Sequence, residues 1–440
     1  MCAKRKSETS SPLIAALVAN AAGEIFDLSG YAAVGSDGAA LAPLTVAETS
    51  LLPHGSELMY LPDRVPLLYE IGRGRITAVP ENPYLPGQAI FPVAAFNSPG
   101  YVIAYTSAYE ERPQAGHLPL FSYGAVGWQR GKFRSAVIQV DAEPRQDLRQ
   151  MPLAGIKTGV HRLRRLLPDN RLRAHLETCA LTYGCPAGKN FFLGRYEAPL
   201  PTSSACNARC LGCISLQPEG CMPSSQNRIA FTPTPQEVAG VALAHIRGVE
   251  NAVVSFGQGC EGDPLLAAET IRAAIQLIRA GTDRGTINMN TNGSMPAVLA
   301  QLIDAGLDSV RISMNSVREP CYSAYFRPRG YHFEDVVESI DRALARGAHV
   351  AINYLHCPGF SDTPEECEAL LAFLGSHPIH MIQWRNLNFD PRRYLAAMRQ
   401  AADHRPPIGM RRLLHQVRQH FPKMRYGYFN PPKETFQGLS

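Results

Sequence analysis

From about residue 191 onward the chain alternates between two hydrophobic patterns. Runs that are largely apolar at 198–203, 252–257, 286–291, 309–315, 349–355 and 381–385 predict short β-strands. Between them, 235–247, 265–280, 296–305, 333–346 and 363–374 place apolar residues at helical spacing, which predicts helices with one buried face. Strands that alternate with helices need crossover connections and therefore lie parallel. The pattern predicts an α/β fold over 191–390, either a partial (β/α)6 TIM-like barrel or an open doubly wound sheet, and in both forms functional residues gather at the carboxyl ends of the strands.

The rest of the chain follows other rhythms. Residues 1–145 predict a β-rich N-terminal domain, with β-prone runs at 75–79, 89–96, 101–107 and 136–140 punctuated by Gly, Pro and Asn. They carry no motif with chemistry in it. Residues 146–190 form a basic helical connector. Within it, over 156–176, Lys157, Arg162, Arg164, Arg165, Arg171 and Arg173 stand against the single acid Asp169, and Pro168 splits the run into two short helices. A solvated face of helices packed on the next domain accounts for this charge better than an RNA or anion contact. Residues 391–440 predict a tail with one helix near 408–420.

Composition narrows the class of protein. At 45% hydrophobic and 18% charged, the 440 residues are ordinary for a globular chain, and a net charge of +5 does not indicate nucleic acid. No apolar run approaches the 18 residues of a membrane span. The start, Lys4-Arg5-Lys6 ahead of the apolar stretch 12–18, has some features of an export signal. Glu8 interrupts it and Pro12 opens it, so a tail leading into a short helix or strand is expected, in a cytoplasmic protein. Eleven cysteines, one before residue 179 and none after 367, make a poor disulfide framework; in a reducing compartment they point to metal ligands or reactive thiols.

Three of them follow the first barrel strand in the segment Thr202-Ser-Ser-Ala-Cys206-Asn-Ala-Arg-Cys210-Leu-Gly-Cys213, a C-x3-C-x2-C spacing. A [4Fe–4S] cube normally takes four thiolates, so three in one loop leave one iron open for chemistry. A structural zinc site with a fourth ligand elsewhere is the competing use. The segment resembles the signature of the radical S-adenosylmethionine (radical SAM) superfamily, and the resemblance extends over roughly 197–390. It implies that Cys206, Cys210 and Cys213 hold a [4Fe–4S] cluster whose open iron is chelated by the methionyl group of S-adenosyl-L-methionine. Reductive cleavage would then give a 5′-deoxyadenosyl radical that abstracts hydrogen from a substrate. The family often has an aromatic residue before the third cysteine, near the adenine; here that position is Gly212.

The same resemblance assigns cofactor contacts at the strand ends. Glu261-Gly262-Asp263-Pro264 is similar to the family's Gly-Gly-Glu-Pro turn, which holds the methionyl amine largely through its backbone, with Asp263 in the acid position and Glu261 replacing the first glycine. Asn290 and Asn292, in Asn-Thr-Asn-Gly, resemble the turn that closes the third strand. Alternation places Arg311, Ser313 and Asn315 on one face of the fourth strand. A buried arginine there needs an anion, either the methionyl carboxylate or Glu261 or Asp263. On the fifth strand Asn353, polar among apolar neighbours, is expected either to face adenine or to be a satisfied core asparagine, and Gln383, Arg385 and Asn388 are candidates to face substrate or adenine.

Cys260, Cys321 and Cys357 follow predicted strands and are expected near the barrel mouth, as ligands of an auxiliary Fe–S cluster, as a hydrogen-returning thiol, or as small buried hydrophobes. Cys179, Cys185 and Cys221 are a second candidate set for an auxiliary cluster. An electron donor, a reductase or a ferredoxin or flavodoxin, is an implied partner. The substrate is left open between a peptide, a nucleotide and a cofactor precursor, and no membrane partner is indicated. Two other functions compete: a non-catalytic iron–sulfur or zinc protein that keeps the fold, and a nicotinamide or flavin oxidoreductase using the G-x-G-x-x-G of Gly257 to Gly262.

Overall fold

The structure, a computed structural model, describes residues 11–218 and 222–436. The chain divides into two compact units, one running through Leu118 and including Ser122–Ile138, the other formed by Pro119–Phe121 and everything from Gln139 onward. Among the described residues, no helix is long and apolar enough to cross a membrane.

The first unit is a 13-stranded antiparallel sheet. The apolar stretch near the start becomes a central strand, Ala15–Ala19, bonded to Ile25–Ala32 on one side and to Phe91–Phe96 and Gly124–Gln129 on the other. Its residues Ala16, Val18 and Ala19 are fully buried, which accounts for their apolar run.

The second unit is built on a seven-stranded parallel sheet in sequential order: β1 (Glu197–Pro199), β2 (Val253–Phe256), β3 (Thr286–Thr291), β4 (Ser309–Met314), β5 (His349–His356), β6 (Met381–Asn386) and β7 (Arg425–Tyr426). The sheet curls into a half-barrel. Six strands fall where the hydrophobic runs predict them. The seventh comes from the presumed tail, which also supplies α10 (Pro391–Ala401) and α11 (Met410–His420). The basic connector becomes α1 (Leu153–Leu166), α2 (Arg171–Leu181) and α3 (Pro186–Leu193). Its arginines are largely consumed locally, Arg164 and Arg173 by Glu177 and Arg171 by Glu237. The remaining crossover helices are α4 (Pro235–Gly248), α5 (Ala268–Gly281), α6 (Pro296–Asp304), α7 (Glu319–Phe326), α8 (Phe333–Ala345) and α9 (Pro364–Ser376). Helix α7 was not expected; its eight residues, with four apolar buried side chains, are too short for a clear helical period.

Alternation along the strands separates two environments. On β4, Val310, Ile312 and Met314 are fully buried, and Ile312 packs towards Val336 of α8. Arg311 and Ser313 turn the other way, and register extends their rows to Asn290 and Ala351 and to Asn353 and Gln383. The barrel interior is therefore polar. At its base Glu197 accepts from Ser255 and from Asn430 (2.9 Å), and Asn288 bridges Ser255 (3.3 Å) and Ser309 (2.9 Å). Buried polar groups in this density are tolerated because each is bonded to another.

Histidines in the helix layer and sheet are held neutral. His245 of α4 is 3% exposed, with a ring nitrogen 3.2 Å from the Tyr196 carbonyl oxygen, and burial lowers its pKa to about 4. The unfolded chain takes up this proton below about pH 6.5, the folded chain only near 4. The stability that His245 contributes is thus complete above pH 6.5 and lost as pH falls towards 4, by roughly 3 kcal/mol in total. Urea unfolding of the wild type and of His245→Gln at pH 7.5 and 4.5 should show the gap between them narrowing by about 2–3 kcal/mol at the lower pH. A pH-independent gap would contradict the assignment.

Candidate active site

The three signature cysteines sit on the loop after β1, at the carboxyl ends of the strands. That loop is pinned from three sides. Helix α7 accepts two of its N–H groups at its carboxyl end, Arg209 N to Phe326 O (2.9 Å) and Leu211 N to Tyr325 O (3.0 Å). The side chain of Gln217 donates to the carbonyls of Leu211 (3.2 Å) and Cys213 (2.7 Å). The turn after β2 pairs with the loop through Gly262 N to Ser203 O (2.7 Å) and Asp263 N to Ala205 O (2.9 Å). Gly262 is required there: a Cβ would stand 1.8 Å from the Ala205 carbonyl oxygen.

Glu261 carries this junction. Its buried carboxylate accepts four backbone N–H bonds, from Thr202 (2.7 Å) and Ser203 (2.9 Å) on one oxygen and from Gly257 and Gln258 (both 2.7 Å) on the other. Burial raises its pKa to about 7, while the four donors pull it down. Glu261 therefore clamps two loops together. Asp263 does similar work one strand over, accepting from Thr291 Oγ1 (2.8 Å), Asn292 N (2.7 Å) and Leu265 N (3.1 Å). Asn292 continues the chain to the cysteine loop, donating to Asn207 Oδ1 (2.8 Å), and Asn290 ties β3 to the carbonyls of Phe256 and Gly257 (both 3.1 Å).

These elements line one cavity of about 480 Å³ that takes in Cys206, Cys210, Cys213, Gly262, Asp263, Asn290, Asn292, Arg311, Ser313, Asn353, Gln383, Arg385 and Asn388. Arg311 is 6% exposed. One of its nitrogens donates to Gln383 Oε1 (2.7 Å) and to the Tyr428 carbonyl oxygen (3.1 Å), while Nε and Nη2 have no partner. It pairs with neither Glu261 nor Asp263, so the competing salt bridge does not form. Burial lowers its pKa to about 10, which leaves it charged at neutral pH. Asn353 donates to Ser313 Oγ (3.4 Å) and its Oδ1 is unpaired.

Several expected positions differ. Asn315 leaves the inward face and donates to the Tyr394 hydroxyl (3.1 Å) and the Cys321 carbonyl (3.2 Å), because the strand ends at Met314 and the chain turns outward. None of the three thiols expected at the mouth lines the cavity. Cys321 is carried into the helix layer by α7 and is fully buried. Cys357 is folded under by a tight turn in which Phe360 N and Ser361 N donate to its carbonyl (3.2 and 3.1 Å). Cys260 points from the β2 turn towards Cys179 and His175 rather than into the mouth. Cys221 lies outside the described residues. The G-x-G-x-x-G of 257–262 does not open a helix; a 3-10 turn, Pro264–Ala267, intervenes before α5. Gly259 and Gly262 abut the cysteine loop and Gly257 the Asn290 carbonyl, in place of a phosphate at a helix N-terminus.

Other groups at the site carried no sequence signal. Arg228 places Nη2 3.7 Å from Cys213 Sγ and Nε 3.2 Å from Ser215 Oγ, a positive charge beside a cluster thiol. The space over Gly212 is filled from elsewhere: a Cβ there would meet the Tyr325 hydroxyl at 3.0 Å and Phe389 at 3.2 Å. Of the two, Tyr325 of α7 lines the cavity. Tyr428, Phe429 and Asn430 close the cavity from the C-terminal side.

The donor set fits an iron–sulfur cube better than a lone ion. Among the described residues the group of three His, Cys or carboxylate atoms within 4.8 Å of one another is His175, Cys179 and Cys260, so the sulfurs of the triad are spread more widely than one ion needs. Burial first, then the Asp263 charge, raises Cys206 to about 11, and burial with the two other thiols raises Cys210 well above the ordinary thiol value. Three thiolates coexist here only when cations neutralise them, so metal loading must release protons.

A parallel half-barrel with a three-cysteine loop at its strand ends, beside a cavity with an unpaired buried arginine, defines a metallocofactor-binding barrel. The sequence model of the radical SAM superfamily matches residues 200–374. The chain is 24% identical over 221 residues to the human molybdenum cofactor biosynthesis protein 1, covering 50% of this chain and 31% of that one. The bovine protein of the same name is 24% identical over 235 residues, 52% and 34% of the two chains. The chain therefore spans about a third of the length of these relatives. Among solved structures it is similar to HydG, a maturase of the [FeFe]-hydrogenase (16% identity, TM-score 0.38, 63% of this chain and 67% of that one). It is also similar to the methylornithine synthase PylB (12% identity, TM-score 0.36, 64% and 74%).

Replacing Glu261 with Gln puts an N–H₂ against two backbone N–H donors. Glu261→Gln should destabilise the second unit by about 2–4 kcal/mol in urea unfolding. Unchanged stability would show that the carboxylate does not hold the junction.

Proposed function

We propose that this chain is a radical SAM enzyme: a [4Fe–4S] cluster on Cys206, Cys210 and Cys213 supplies an electron that cleaves S-adenosyl-L-methionine to a 5′-deoxyadenosyl radical, which abstracts hydrogen from a substrate. The observation that carries this reading is Arg311, a buried guanidinium with two unpaired N–H groups in the cavity shared with the cysteines. Leaving buried donors unpaired costs free energy, and a carboxylate partner satisfies both at once.

In this reading Arg311 binds the methionyl carboxylate, with Gln383 and the Tyr428 carbonyl fixing its orientation. The backbone of the Glu261–Asp263 turn receives the amine. Asn353, through its free Oδ1, and Ser313 face the nucleoside, and Tyr325 walls it off from water in place of the residue missing at Gly212. Arg228 offsets negative charge at Cys213. A scaffold that had lost catalysis would have no use for the unpaired donors of Arg311.

The substrate lies against the remaining wall. Arg385 sits with its guanidinium carbon 5.8 Å from the Tyr428 ring centroid, and Asn388 is beside it in the lining. This favours a small polar substrate with an anionic group, a nucleotide or cofactor precursor, over an apolar one. A ferredoxin- or flavodoxin-type donor delivers the electron, in a reducing compartment such as the cytoplasm.

Reduced, anaerobically reconstituted protein mixed with S-adenosyl-L-methionine should form 5′-deoxyadenosine, and Cys206→Ala should not. Arg311→Met should keep its iron but weaken S-adenosyl-L-methionine binding by about 2–3 kcal/mol, about 30- to 150-fold in Kd. No 5′-deoxyadenosine from the wild type, or unchanged affinity in Arg311→Met, would overturn the reading.

A further inference from the structure

We propose that His175, Cys179 and Cys260 form a second metal site, for a single Zn²⁺-class ion, separate from the cysteine triad. The three ligand atoms all lie within 4.8 Å of one another. His175 and Cys179 are four residues apart on α2, so one turn of helix brings both side chains to the same face. Their His175 Nε2 and Cys179 Sγ atoms are 3.5 Å apart. In a tetrahedral zinc site, Zn–N and Zn–S bonds of standard length place N and S about 3.6 Å apart, so the helix already presents this pair at ligand spacing. Cys260 comes from a distant part of the chain, the turn after β2. It has no role in the cavity that the turn lines.

The chemistry of the site agrees with its geometry. Cys179 and Cys260 are 1% and 4% exposed and neither is in a disulfide. Two buried free thiols and the nitrogen of a half-buried imidazole are the soft and borderline ligands that Zn²⁺ selects. Cys185 is anchored beside the group, its backbone N–H donating to the Cys179 carbonyl (2.9 Å).

The site would act on the cofactor turn without touching cofactor. Cys260 immediately precedes Glu261, whose carboxylate clamps that turn to the cysteine loop, and the Cys260 carbonyl accepts from Ile229 N (2.7 Å), next to Arg228. An ion bridging α2 to Cys260 staples the connector helices to the turn. These residues are positioning residues. The existence of the ion does not depend on the radical chemistry, although its effect on the turn rests on that reading.

The test uses the full chain with Cys206→Ala, Cys210→Ala and Cys213→Ala combined, so that the triad holds nothing and a failure of radical chemistry cannot affect the result. Purified without oxygen, this variant should carry one zinc per chain. Exchange for Co²⁺ should give thiolate-to-cobalt charge-transfer absorption with the intense visible bands of a tetrahedral site. Adding Cys179→Ser or Cys260→Ser should weaken Co²⁺ binding by at least about 100-fold. If those variants do not fold, the Co²⁺ spectrum of the triple variant itself, with two thiolates and a nitrogen, decides the matter. The proposal is overturned by less than stoichiometric metal with no cobalt spectrum, by equal affinity in Cys179→Ser, by a Cys179–Cys260 disulfide in the anaerobic protein, or by four irons with four sulfides in the triple variant.

Discussion

The four backbone bonds to the Glu261 carboxylate are the constraint on which the site depends. A loop of three cysteines has no regular structure of its own, and its N–H groups must be satisfied by something. Glu261 takes two donors from the start of that loop and two from the end of β2, and so fixes one against the other inside a buried junction. Gly262 then lets the backbones approach, and Asp263 extends the same device to the end of β3. Three strand ends are registered by two acids, and neither carboxylate is left over for ligand.

The barrel interior follows from what the junction leaves open. Small parallel barrels usually fill their centres with branched apolar side chains. This one places Ser255, Asn288, Asn290, Arg311, Ser313, Asn353 and Gln383 there, and most of them bond to one another. The exceptions lie where the cavity is. Arg311 has two unpaired nitrogens and Asn353 one unpaired oxygen, a donor and acceptor set suited to a polar, charged ligand. The final segment completes the enclosure: Tyr428 N donates to Asp141 Oδ2 (2.8 Å), and the Tyr428 carbonyl orients both Arg311 and Gln383.

The parallel sheet was legible because its strands are buried on both faces and its helices on one, so two periods alternate plainly along the chain. The cysteine triad was legible from spacing alone. Arg311 stood out as a charge in a strand that must be buried. What escaped notice depends on contacts between distant residues. Helix α7 is too short to show a period, yet it holds the cysteine loop. The strand Arg425–Tyr426 has two residues and joins the sheet only by pairing with β6. Arg228 and Tyr325, over Gly212, reach the site through the fold and not through any motif. Cys260, Cys321 and Cys357 share a sequence context after strands, but a turn, a helix and a reversed side chain take all three away from the mouth.

The central claim is that the three cysteines leave an iron accessible to S-adenosyl-L-methionine. It is tested most directly by electron paramagnetic resonance of the reduced, anaerobically reconstituted protein, recorded with and without S-adenosyl-L-methionine. The account predicts a [4Fe–4S]⁺ signal whose line shape changes when S-adenosyl-L-methionine is added. A fully coordinated cluster signal that is indifferent to S-adenosyl-L-methionine, or no cluster signal, would contradict it.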